Sequence, residues 1–172
     1  MSEPKEVALP EQSKIQAIAS GASFYDAWEM PTINPDLAPL EQFLRVMKQT
    51  PKWFDRLMVL RNRVVSLFGL KDLGAFSEMD ESKPSSDYKT GDRVGIFTLI
   101  ENDQNEVLLG DDDNHLRVVL SIHKKTDAST GSTFITVSTV VHVKNWLGKL
   151  YMIPVAPAHK IIAKRMTKSI GI

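Results

Sequence analysis

Residues 115–145, HLRVVLSIHKKTDASTGSTFITVSTVVHVKN, carry the alternation that decides the fold. Leu116, Val118, Leu120 and Ile122 point one way, and His115, Arg117, Val119, Ser121 and His123 the other. That period of two is the signature of a β-strand. Asp127 to Ser132, with Gly131, reads as a turn. Beyond it Ile135, Val137, Thr139, Val141 and Val143 alternate with Phe134, Thr136, Ser138, Val140 and His142. Two such runs joined by a short turn form an antiparallel hairpin.

Upstream, the same period marks a strand from Val94 to Ile100, a turn at 102–105 and a partner strand from Glu106 to Gly110. Asp111 to Asn114 is a second turn, so four strands form a meander. Downstream, Asn145 is placed to cap a long helix. Leu147, Leu150, Tyr151, Ile161, Ile162 and Met166 supply its apolar side. Pro154 and Pro157 predict a kink or two consecutive helices. A sheet must cover its apolar face, and this helix is the element long enough to do so.

The first half of the chain is helical in period. Leu37, Leu40, Phe43, Leu44 and Met47 recur on one face, with Pro39 in the first turn. Thr50-Pro51 starts a second helix with Trp53, Leu57, Leu60, Val64 and Leu67 as its face and Gly69 as its cap. Together they make a helical hairpin. Phe24 to Met30 fits a strand or a short helical turn. Residues 71–92 form a long polar loop. Residues 1–14, polar and holding Pro4 and Pro10, form a flexible arm, and 15–172 form one domain.

Composition removes several function classes. With no cysteine among 172 residues, disulfides, thiolate metal ligands and cysteine nucleophiles are excluded. A formal charge of zero argues against a general nucleic-acid binder. The zero is a sum of opposites. All 21 acids and 15 of the bases precede Ala128, for a net −6; the other six bases follow it, for +6. No run of apolar residues is long enough to span a bilayer, and charges at Glu3, Lys5, Glu6 and Glu11 interrupt any leader, so a cytoplasmic protein is expected.

Sites of chemistry are sparse. Asp111, Asp112 and Asp113 ahead of His115 could ligate a divalent cation, but Asp-rich turns bond their own backbone, and the turn reading is preferred. No Gly-x-Ser-x-Gly or phosphate-binding glycine loop occurs. His123 and His142 read as outward-facing; turned inward, either would be a base near neutral pH. His159 and Tyr151 lie on the terminal helix. The basic residues Lys160, Lys164, Arg165 and Lys168 read as a solvated face that approaches acidic parts of the chain.

The run Thr139-Val140-Val141-His142-Val143-Lys144-Asn145-Trp146-Leu147-Gly148-Lys149-Leu150-Tyr151-Met152 is distinctive. Gly110-Asp111-Asp112-Asp113-Asn114-His115-Leu116 precedes it, Pro157-Ala158-His159 follows it, and Gly21-Ala22-Ser23-Phe24-Tyr25-Asp26-Ala27-Trp28 stands near the start. Together they resemble the bacterial domain-of-unknown-function family 2867 over roughly residues 20–168. The resemblance implies an α+β helix-grip fold of the START-like or Bet v 1-like kind. That fold is a curved antiparallel sheet with a helical hairpin and a long, proline-kinked C-terminal helix packed across it. Some members look like partners of nicotinamide-binding dehydrogenase-like domains; without a GxGxxG, this chain is expected to be the stand-alone form. Two positions depart from the pattern: Arg117 stands in place of an acid and Ala158 in place of an aromatic.

The expected function is binding of a small hydrophobic or amphipathic molecule between sheet and terminal helix. No cofactor, metal, nucleic acid or stable membrane insertion is expected. The candidate lining is Phe97, Arg117, Val119, Phe134, Val140, His142, Tyr151 and His159. This requires a cavity of about 300 Å³ or more. One alternative is an enzyme of cyclase, hydrolase or isomerase type with His142 or His159 as acid or base. The other is a ligand-free interaction or regulatory domain.

Overall fold

The 115–145 alternation folds as a long hairpin. The computed structural model describes residues 3–49, 56, 58, 59, 62, 63, 66 and 82–171. Strands β1 (Lys5–Glu6), β2 (Phe24–Pro31), β3 (Arg93–Val94), β4 (Phe97–Asn102), β5 (Glu106–Asp112), β6 (Leu116–Thr126) and β7 (Thr133–Val143) form one sheet. Its order is β1-β2-β7-β6-β5-β4-β3, every pair antiparallel. Helices α1 (Ile15–Ile18), α2 (Pro39–Lys48) and α3 (Trp146–Lys168) pack on it, making a curved α+β architecture. A register shift between Leu99 and Glu101 adds a residue to β4, the kind of bulge that bends a sheet.

Register fixes what shares a face. Asp111, Val118, Val141 and Phe24 lie in one row across β5, β6, β7 and β2. Leu109, Leu120, Thr139 and Asp26 form the next, and Val107, Ile122, Val137 and Trp28 the third. Helix α3 lies over β2 and β7, while α2 lies over β5 and β6. Leu40, Phe43, Val46 and Met47 of α2 join Leu99, Val107, Leu109, Ile122 and Ile135 in the main core. The opposite face has a smaller core, where Leu9 and Ile15 cover Ala27, Leu108, Val119 and Val140.

Several elements differ from the sequence reading. Phe24 to Pro31 is a strand, paired along its whole length with β7. The run from Val94 to Ile100 is two strands, because Gly95 turns the chain with φ of 62°. The first arm of the helical hairpin is α2, whose start is held by Glu41 accepting from the Ala38 N–H (2.8 Å). Of the second arm, positions 56, 58, 59, 62, 63 and 66 are helical. Its start at 50–51, its apolar face and its Gly69 cap lie outside the described residues, as does 71–81 of the polar loop.

The segment expected as a flexible arm is laid down on the sheet. Lys5 and Glu6 pair with Glu29 and Trp28, and Leu9 and Ser13 are buried. The terminal helix is one element through both prolines, not two helices. Pro154 and Pro157 are exposed, as are Leu150 and Ile153, whose carbonyls lose their donors; on that side water can replace them. Leu150 and Ile161, expected to face the sheet, instead share the outer side with Trp146 and Ile153. Among the described residues, no helix is long and apolar enough to cross a membrane.

Candidate functional site

Because α2 and α3 cover different strands, the middle of the sheet between them is open. A cavity of about 390 Å³ fills that gap. Val118, Leu120 and Val137 form its floor and are only half-buried despite their mid-sheet positions. Phe43, Val46 and Met47 of α2 form one wall, and Met152, Val155, Ala158, Ile162 and Met166 of α3 form the roof. Phe97 and Met58 also reach it.

Polar groups sit at defined points of this apolar lining. The row register puts Asp26 directly opposite Thr139, and His159 descends from α3 onto both. His159 Nε2 is 3.1 Å from Thr139 Oγ1 and 3.4 Å from Asp26 Oδ1. The Asp26 side chain is 1% exposed, and its Oδ2 accepts from Trp28 Nε1 (3.2 Å). Phe24 packs edge-on against the imidazole, with ring centres 5.8 Å apart. A carboxylate facing Nε2 favours the proton on that nitrogen and leaves Nδ1 with a lone pair. Elsewhere the lining includes Gln42, Asp111, Asp113 and Tyr151. Arg93 Nη1 approaches Asp111 Oδ1 at 3.9 Å.

The structure divides the eight sequence candidates. Phe97, Tyr151 and His159 line the cavity. Arg117, Val119, Phe134, Val140 and His142 stand on the other face, because strand side chains alternate and Val118, Leu120, Val137, Thr139 and Val141 take the cavity side. There Val119 and Val140 are core, Arg117 is exposed, and His142 Nε2 donates to the Ile18 carbonyl (2.7 Å). His123 faces the same way, yet it is buried. Burial holds its imidazole below the usual histidine range, with Glu106 and Glu29 opposing that shift and Lys125 reinforcing it.

The acidic turn has a structural occupation. Asp113 Oδ1 accepts from the N–H of His115 (2.6 Å) and of Leu116 (2.8 Å), the expected turn geometry. Asn145 caps α3 by accepting from Gly148 N–H (3.0 Å), and its amide donates to Asn114 O (3.0 Å) and His115 Nδ1 (2.9 Å). Among the described residues, no group of three or more His, Asp or Glu is arranged to hold a metal ion.

Sequence reasoning passed over Asp26, Gln42, Thr139 and Asp111 as lining or supporting groups. The available signal was Asp26 alternating with Phe24 and Trp28 on one face of a strand. An acid between two aromatics on an inward face requires a polar partner.

Neither a curated protein nor a solved structure matches the chain. The family model described as "Protein of unknown function (DUF2867)" matches residues 18–166, which include the floor of the cavity and, from α3, all the lining residues named above, and the chain belongs to that family.

Proposed function

We propose that this domain binds a small apolar or amphipathic molecule in the cavity between α2 and α3, as a cytoplasmic member of the helix-grip, START-like class. The observation that carries the reading is the 390 Å³ cavity itself, floored by half-buried Val118, Leu120 and Val137. Its size falls within the range of small-molecule sites. Apolar voids destabilise a fold by about 24 cal/mol per Å³, and water filling this one would find few partners. An apolar occupant restores the missing contacts.

Native mass spectrometry of the purified protein, with a titration by a neutral apolar fluorophore, tests this. The expected result is saturable uptake at one site, abolished in Leu120→Trp, whose indole fills the floor. No adduct and no saturable uptake would remove the reading.

A second reading is favoured by the Asp26–His159–Thr139 arrangement. A histidine oriented by a buried carboxylate and facing an apolar cavity is built like an acid–base group. Under this reading the domain is an enzyme of cyclase, hydrolase or isomerase type. His159→Gln would then abolish turnover of a substrate found by screening while leaving fluorophore uptake intact.

A further inference from the structure

Among the described residues, the cavity lining holds carboxylates and no lysine or arginine. We propose that its occupant presents a hydrogen-bond donor, as a hydroxyl or an amine on an apolar body, and that amphiphiles with an anionic head are rejected. This rests on the binding reading above and adds a head-group class to it.

Gln42 is the first observation. It lines the cavity and is fully buried. Its Nε2 donates to Asn34 O (2.6 Å) and Thr32 Oγ1 (3.0 Å). A backbone carbonyl can only accept, so the amide orientation is fixed. Oε1 is left buried with no donor. Leaving such an atom unsatisfied is costly, and a ligand donor would satisfy it.

Asp26 is the second. Its Oδ1 is buried behind His159 without a hydrogen bond of good geometry. This carboxylate keeps the Nε2 proton of His159 in place, so Nδ1 is an acceptor.

The charges of the lining are the third. Among the described residues no lysine or arginine belongs to it, whereas Asp111 and Asp113 do. Arg93 touches Asp111 from the rim with its own side chain about half exposed. An anionic head would therefore lose its hydration facing carboxylates and the Gln42 carbonyl oxygen, with no cation among the described lining residues to offset its charge. An ammonium or hydroxyl would meet acceptors.

The test uses three probes of equal chain length, decylamine, decanol and decanoate, competing with a neutral fluorophore near neutral pH. Decylamine and decanol are expected to bind at least about tenfold more tightly than decanoate. Asp111→Asn is expected to narrow the gap between amine and carboxylate, with Asp113→Asn as the second variant if the first does not fold. Decanoate binding as well as the amine would overturn the inference and leave the binding reading standing. Failure of all three probes and the fluorophore would remove both. Probe binding that survives Leu120→Trp would place the site elsewhere and overturn the inference.

Discussion

Gly148, in the first turn of α3, passes so close to the 113–116 turn that an added Cβ would lie 2.5 Å from His115 O and 3.0 Å from Val143 Cγ1. Alanine is the better helix former by about 1 kcal/mol. Overpacking against backbone costs about 1–3 kcal/mol, so Gly148→Ala should lower the melting temperature by several degrees. His123 gives a pH signature. Its folded-state affinity for protons lies below that of the unfolded chain, so as pH falls through 6.5 the unfolded state takes up a proton that the native state refuses. Stability should drop below that pH, and His123→Gln should flatten the drop in denaturant titrations at a series of pH values. At this scale the candidate site was half legible. His159 and Tyr151 stood out as polar groups on an apolar helix. Asp26 did not, because its importance comes from lying opposite Thr139, and that pairing depends on a register between distant segments.

At the scale of elements, the strands and α2 follow from period and capping, and the face assignment does not. Val118-Val119 and Val140-Val141 are apolar doublets, so both sides of the hairpin are covered. A reading that assumes one covered face has no basis for choosing between Val119 and Leu120 as lining. The cover on the second face is the N-terminal segment, which looked loose because its attachments are few and specific. Glu106, buried, accepts from Ser121 Oγ (2.5 Å), from Ser13 Oγ and from the Lys14 N–H (2.9 Å). Removing residues 1–14 would expose Val119 and Val140 and strip Glu106 of two donors. The shortened chain should melt well below the full one and should be cut more readily by protease within β6 and β7. Pro154→Ala restores a helical donor at an exposed position and should raise the melting temperature, since an interior proline costs about 3 kcal/mol.

Across the whole molecule, the opposed charges of the two chain segments meet. Lys160 pairs with Glu6 (3.0 Å), Lys168 with Glu3 and Lys144 with Asp112. These pairs are partly exposed, so they guide the last helix onto the first strand more than they hold it there. Exchanging Lys160 and Glu6 should leave the melting curve within experimental error. The asymmetry of acids and bases was legible from the sequence; its partner, β1, was not, because a two-residue strand has no period to detect. The position of β2 has one more consequence, for synthesis on the ribosome. Its hydrogen-bonding partner in the interior of the sheet is β7, over a hundred residues later in the chain. While the intervening chain is being made, β2 has only the two-residue β1 beside it, and the edge that will meet β7 must wait unpaired, open to wrong partners. The β5–β6–β7 meander can close locally as it emerges, but the cavity acquires its His159 wall only after the last helix has left the tunnel.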